Sequence, residues 1–208
     1  MSQYFEVHPE TPQPRLMRQA AAMLRDGGLA VYPTDSTYAL GCVMGDKAAV
    51  DRIRRIRQLP EQHNFTLLCR DLSDIGTYAK VSNTAYRQLK AFTPGPYTFI
   101  LRATSEVPRR LQHPKRKTIG IRVPAHPVAR ALPEHLGEPL MTSSLLLPGQ
   151  ELPFPEAPEI REHLGGVVDL IIDGGPCGLE PSTVVDLTGD LPEVLRRGAG
   201  DADVFETA

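Results

Sequence analysis

Thr118-Ile119-Gly120-Ile121-Arg122-Val123-Pro124 is a strand whose two faces disagree. Side chains alternate across a strand, so Ile119, Ile121 and Val123 share one face while Thr118, Gly120 and Arg122 line the other. The first face belongs against a core. The second carries a hydroxyl, an uncluttered stretch of backbone and a fixed positive charge, which together can hold an anionic group close to a sheet. A strand that simply turns a polar face to water alternates in the same way, so the decision rests on the company this strand keeps.

Outward from it, helices and strands interleave. Leu16, Ala20, Met23 and Leu24 form an apolar helical stripe that stops at Gly27-Gly28, and Leu29 to Tyr32 follows as a buried strand. Asp46 caps a second helix that turns Val50, Ile53 and Ile56 inward, keeps Arg52, Arg54, Arg55 and Arg57 outward, and ends by Pro60. Phe65 to Cys69 is a strand, Ser82 or Asn83 caps a helix with Ala85, Leu89 and Phe92 on one side, and Thr93-Pro94-Gly95-Pro96 turns into the strand Tyr97 to Leu101. A helix from Val128 to Leu136 and strands near 140–143, 167–172, 182–187 and 193–196 complete the pattern, with 147–158 expected as a surface loop. The order predicts an α/β or mixed α+β sheet with helices on its faces.

Composition bounds the rest. A chain of 208 residues, 41% of them hydrophobic, can bury a core without covalent staples. A net charge of -2 excludes a global basic field, so any attraction to nucleic acid must come from a local patch. The three cysteines, Cys42, Cys69 and Cys177, follow no zinc or disulfide spacing, and the six histidines show no metal-ligand pair; a reducing cytoplasm and no structural metal are expected. The first residues lack a signal pattern and no apolar run has the length of a membrane span.

Polar clusters sit at the ends of strands. Pro33-Thr34-Asp35-Ser36-Thr37-Tyr38 follows the first strand and leads into an apolar turn, Ala39-Leu40-Gly41. Arg54-Arg55-Ile56-Arg57 closes the second helix, ahead of His63-Asn64, where cations suit either phosphates or the helix C-terminus. Thr142-Ser143-Ser144 and Ser182-Thr183, the latter leading toward Arg196, add hydroxyls. No nucleophile elbow, phosphate loop or Cys-His pair is present. Hydroxyls and arginines without an activated nucleophile favour holding a phosphorylated ligand and stabilising charge over covalent catalysis.

Four ordered motifs carry a family resemblance: Tyr32-Pro33-Thr34-Asp35-Ser36-Thr37-Tyr38-Ala39-Leu40-Gly41, Pro94-Gly95-Pro96-Tyr97-Thr98-Phe99-Ile100-Leu101, the opening strand Thr118 to Pro124, and Ser182-Thr183-Val184-Val185-Asp186-Leu187 with Leu195-Arg196. Together they resemble the YrdC/YciO family, and most of all its YciO branch, over residues 12–200, which leaves 1–11 and 201–208 as terminal extensions. The resemblance implies a twisted mixed sheet flanked by helices around a concave, positively lined cavity. It also implies the reaction of the synthase branch, in which ATP, L-threonine and bicarbonate become threonylcarbamoyl-AMP and pyrophosphate, toward the t6A modification of tRNA, with Mg²⁺ assisting. By the same resemblance Thr34, Asn64, Arg122, Thr142 and Ser182 fall where threonine is held, and Arg55, Arg57, Thr118, Ser144 and Arg196 where the nucleotide lies. Arg57 and Arg122 are the expected catalytic pair, neutralising charge as pyrophosphate leaves.

Two positions depart from the synthase pattern. Its Lys-x-Arg pair before the proline reads Arg57-Gln58-Leu59 here, and its Ser-x-Asn has Leu145 in place of asparagine. One lost phosphate-facing charge costs about 3 kcal/mol of transition-state stabilisation, or ~10²-fold in rate, so a weakened synthase is expected, unless Lys47, Arg54 or Arg55 supplies the charge. Two other readings stay open. One is a double-stranded RNA- or tRNA-binding module using Arg109, Arg110, Lys115, Arg116 and Lys117. The other is a site retuned for a different small carboxylate or nucleotide by a pocket that Leu59 and Leu145 make less polar.

Overall fold

A computed structural model describes residues 1–60 and 63–206. In chain order the elements are β1 (Gln3–Glu6), α1 (Pro14–Arg25), β2 (Ala30–Tyr32), β3 (Ala39–Val43), α2 (Lys47–Arg57), β4 (Thr66–Leu68), α3 (Leu72–Tyr78), β5 (Ala79–Lys80), α4 (Asn83–Phe92), β6 (Tyr97–Ala103), β7 (Thr118–Arg122), α5 (Pro127–Leu136), β8 (Leu140–Ser144), α6 (Ala157–Leu164), β9 (Leu170–Asp173), β10 (Thr183–Asp186) and β11 (Glu193–Arg196). The strands form one mixed sheet in the order β1-β9-β2-β3-β8-β4-β7-β6-β10-β11, with β5 pairing β6. This is the single-domain mixed α/β architecture that the interleaving predicts.

Local chemistry sets the boundaries. Pro14 opens α1 and Pro127 opens α5, at the position where a missing N–H costs nothing. Asp46 caps α2 by accepting from Ala49 N at 3.0 Å, and Ser82 caps α4 by accepting from Ala85 N at 3.1 Å. The α2 helix ends through Gln58 in the left-handed conformation, φ 48°, with Leu59 N returning to Arg54 O at 3.1 Å.

Three expectations need correcting. Ala39-Leu40-Gly41 is not a turn but the start of β3, because its backbone pairs antiparallel with β2 on one side and β8 on the other. The stretch 147–158 is not all surface loop: Phe154 is buried in the core and α6 begins at Ala157. Strand β9 starts at Leu170, leaving Val167 exposed. The ends of the chain also build onto the domain. Strand β1 adds to the sheet edge in parallel with β9, and Phe205 packs against Phe92, Tyr97 and Phe99.

The sheet has two unequal faces. One is covered by a large core in which Val31, Leu40, Leu67, Ile119, Ile121 and Met141 meet α2, α3, α4 and α6. On the other, α1 and α5 cover one half through Met17, Ala20, Leu24, Val128, Leu132 and Leu136, packed on Tyr32, Leu68 and Leu140. The remaining half of that second face, over β4, β7, β6 and β10, is left without a helix.

Candidate functional site

That uncovered half-face is the floor of a cavity of about 410 Å³. Its residue choice follows from register. Gly120 of β7 lies opposite Thr66 of β4 and Ile100 of β6, and Thr66 lies opposite Thr142 of β8, so these four share one row and one face. All but Gly120 line the cavity. Gly120 is what lets the row close: a Cβ there would stand 2.5 Å from Thr66 Oγ1 and 3.1 Å from Thr98 Cγ2. The polar face of the 118–124 strand therefore borders this cavity, and the missing side chain of Gly120 shapes its floor.

Three arginines converge on this cavity from different elements: Arg57 from the last turn of α2, Arg122 from β7 and Arg196 from the end of β11. Arg122 is buried and forms an ion pair with Asp35, while its Nη2 also donates to Thr34 Oγ1 at 3.1 Å and Ser36 Oγ at 2.9 Å. Arg57 Nη1 donates to Ser143 Oγ at 3.1 Å and to the carbonyl of Ser144. Arg196 lies at the rim, donating through Nε and Nη2 to the Ser182 carbonyl at 3.1 and 2.7 Å. Among the described residues neither Arg57 nor Arg196 has a carboxylate partner, so their charges face only neutral oxygens. Burial pulls the Arg57 guanidinium below its ordinary range and the Arg196 charge adds to this. Arginine nevertheless stays protonated at neutral pH. The Nε atoms of Arg57 and Arg122 are buried without hydrogen-bond partners.

Hydroxyls complete the walls. Ser182 Oγ and Thr98 Oγ1 share a hydrogen bond at 2.8 Å, and Thr142 Oγ1 shares one with the buried Tyr32 hydroxyl at 2.6 Å. Ile100, Val184 and Leu195 make one side apolar. His63 is held neutral: burial, then the charges of Arg57, Arg54 and Arg196, push its imidazole down to about 4. Cys177 stands near the Thr34 turn, its Sγ 3.5 Å from the Thr34 carbonyl, and burial pushes the thiol up to about 11, so it offers no thiolate nucleophile at neutral pH.

Of the residues predicted from sequence, Arg57, Asn64, Arg122, Thr142, Ser144, Ser182 and Arg196 line the cavity. Thr34 and Thr118 are buried beside it and act through others: Thr34 holds Arg122 and donates to Thr37 O at 2.6 Å, and Thr118 donates to Asn64 Oδ1 at 3.4 Å. Arg55 stands apart, exposed, its Nε donating to the Asp51 carbonyl at 3.3 Å. Successive helical residues are about 100° apart, so Arg55 and Arg57 cannot both face the cavity. Sequence reasoning gave no site role to His63, Thr66, Thr98, Ser143 or the apolar trio, all of which line the cavity. The alternation that exposed Thr118 and Arg122 marks Thr98 and Ile100 of β6 in the same way, and was the signal that could have found them.

Comparison with known proteins decides the family. A family profile named for Sua5, YciO and YrdC, and described as telomere recombination, matches residues 22–198. The chain belongs to the Sua5/YciO/YrdC family. Over 205 residues it is 58% identical to the uncharacterized protein YciO of Escherichia coli (strain K12), covering 99% of this chain and 100% of that one. The crystal structure of E. coli YciO matches with a TM-score of 0.95 at 57% identity, again over 99% and 100% of the two chains. The threonylcarbamoyl-AMP synthase of Halorhodospira halophila is 32% identical over 178 residues, covering 85% of this chain and 92% of its own. The crystal structure of P. abyssi Sua5 complexed with L-threonine matches with a TM-score of 0.90 at 31% identity, over 99% of this chain and 60% of that one.

Within the family, the departures Leu59 and Leu145 lie elsewhere than expected. Leu145 is fully buried in the core and Leu59 packs against it; neither lines the cavity, so neither makes the pocket less polar. The cations expected to replace the lost charge do not reach it either. Arg54 lies over the Phe65 ring at 4.6 Å and Lys47 begins α2, at the opposite end from Arg57. The basic loop is thinned as well, since Arg116 pairs with Asp186 and Arg110 donates to the Gly45 carbonyl, leaving Arg109, Lys115 and Lys117 as its exposed cations whose side chains make no hydrogen bond among the described residues. No helix among the described residues is long and apolar enough to cross a membrane.

Proposed function

We propose that this cavity condenses L-threonine, bicarbonate and ATP into threonylcarbamoyl-AMP and pyrophosphate, in the cytoplasm and in support of tRNA modification. The observation that carries the reading is the difference in partners among the three arginines: Arg57 and Arg196 present charge that no carboxylate of the described residues offsets, while Arg122 is paired by Asp35 among hydroxyls. Polyphosphate belongs with the first pair and an amino-acid carboxylate with the second. The likeness to a Sua5 complexed with L-threonine supports threonine as the amino acid.

The chemistry asks little of the protein beyond placement and charge. Bicarbonate, by loss of water, supplies the carbon that threonine's amine attacks to form a carbamate. A carbamate oxygen then attacks the α-phosphorus of ATP, and the bond to the β-phosphate oxygen breaks so that pyrophosphate departs with the electron pair. Arg57 and Arg196 stabilise charge on the phosphates; Ser143 and Ser144 supply hydrogen bonds; Thr142, Asn64 and Ser182 flank the threonine. A Mg²⁺ held by the protein does not fit: among the described residues no acidic or histidine cluster could hold a metal, and Asp35 is committed to Arg122. Any Mg²⁺ therefore arrives on the triphosphate rather than on side chains of this site.

Purified protein given ATP, L-threonine and bicarbonate should release pyrophosphate, and omission of either threonine or bicarbonate should stop it. Pyrophosphate release that ignores both omissions would sink the proposal. The RNA-binding alternative is the weaker reading, because two of its five cations are turned to acceptors within the protein.

A further inference from the structure

Arg122 reaches the cavity already neutralised, and the manner of its neutralisation is specific. Three consecutive side chains of the turn after β2 converge on a single nitrogen: Nη2 pairs with the Asp35 carboxylate and donates to Thr34 Oγ1 at 3.1 Å and Ser36 Oγ at 2.9 Å. The other Asp35 oxygen accepts from Ala125 N at 2.8 Å, which ties the turn to the chain just beyond β7. Thus Asp35 is itself fixed at both oxygens. The whole pull falls on one corner of the guanidinium, so its plane is set, and Nη1 carries no hydrogen bond among the described residues. The usual two-nitrogen fork of arginine toward a carboxylate is spoken for at Nη2.

The other two arginines have no such partner. An anion entering the cavity therefore meets two arginines without a carboxylate partner, Arg57 and Arg196, and a third, Arg122, that Asp35 pairs. A triphosphate gains most from the arginines whose charge is not offset, whereas a single carboxylate can use one well-aimed N–H of a pair whose net charge is zero.

We infer that Asp35 is a positioning and sorting residue: it anchors Arg122 so that the remaining edge meets the amino-acid carboxylate, and it cancels enough of the Arg122 charge that the triphosphate goes to Arg57 and Arg196 instead. The inference rests on the function proposed above and adds a determinant of which anion binds where. It makes Asp35 act through Arg122, without touching substrate.

The test is steady-state kinetics of Asp35→Asn with pyrophosphate as inhibitor, alongside the wild-type protein. Asparagine keeps the size of the side chain and removes its charge. The expected result is a ~10-fold rise in the KM for threonine, the loss of about one charged hydrogen bond, with the KM for ATP within about twofold. Pyrophosphate, competing only with ATP in the wild type, should compete with threonine as well in the variant. Ser36→Ala, which removes one neutral bond to Nη2, should raise the threonine KM by ~3-fold with the same split, and serves if the Asn variant does not fold. Equal rises in both KM values, or an unchanged threonine KM and an unchanged inhibition pattern, would overturn the inference while leaving the proposed function standing. A wild-type protein with no threonine-dependent pyrophosphate release would instead overturn the proposed function, and this inference with it.

Discussion

Arg57, Arg122 and Arg196 converge on one cavity from three elements, whereas Arg109, Arg110, Lys115, Arg116 and Lys117 lie together on the loop between β6 and β7. By composition the loop is the more basic region. By structure it is the less committed one, since its cations are exposed and two of them are turned to acceptors of the protein itself. Position relative to the sheet makes the difference. A side chain that leaves the uncovered half-face is surrounded by hydroxyls and low-dielectric walls, where a charge acts strongly on a bound anion; on the loop the same charge is screened by water. Local density of basic residues is therefore a poor guide to which cations line a cavity, and strand register a better one.

The comparison breaks most visibly at Arg122. Arg122→Ala should abolish threonine-dependent pyrophosphate release and also lower stability by about 3 kcal/mol, because it leaves the Asp35 carboxylate largely buried without its partner; activity assays and chemical denaturation read the two effects. If activity survives, the cavity is not the site. Gly120→Val probes the floor rather than the charge. Its side chain would press on Thr66 and Thr98, costing about 1–3 kcal/mol by overpacking, and should weaken ATP or threonine binding measured calorimetrically, even in variant protein that remains folded.

On the loop the effects should shrink. Asp186 accepts from Thr188 N at 2.8 Å and Thr188 Oγ1 at 2.6 Å and pairs with Arg116. Burial pushes its carboxyl up, but these hydrogen bonds and the arginine outweigh burial, and the net shift is downward. A carboxylate with a depressed folded pKa contributes stability above its ordinary range, and that stability is lost as pH falls through the folded value. Arg116→Ala should thus cost about 1 kcal/mol near neutral pH and progressively less under acid conditions, as followed by denaturant midpoints at several pH values. Neutralising Lys115 and Lys117 together should shift stability by less than about 0.5 kcal/mol, since both are exposed; a larger shift in the same measurement would mean that the loop is built into the fold.

Much of this was legible before any coordinates. The helix starts at Asp46 and at Ser82 follow from capping chemistry that acts within one turn. The two faces of the 118–124 strand follow from a period of two. Strand β3 was hidden because Ala39-Leu40-Gly41 follows a hydroxyl-rich turn, and only its pairing with β2 and β8 makes it a strand. Arg55 does not line the cavity for a different reason: resemblance carries a position across, but a helix places residues two apart on opposite sides. The partnership of Asp35 with Arg122 was out of reach, since it joins residues 87 positions apart that only the sheet brings together. Likewise, Leu145 reads as a lost polar contact in sequence and as a core residue in the fold.

The central claim is that the cavity joins threonine, the carbon of bicarbonate and AMP into one molecule. Mass spectrometry of the reaction products tests it most directly, with ¹³C-labelled bicarbonate supplied beside ATP and L-threonine. The account predicts an adenylate of the mass of threonylcarbamoyl-AMP that carries the label, formed in step with pyrophosphate. Protein that binds ATP and threonine yet yields no labelled adenylate would contradict it.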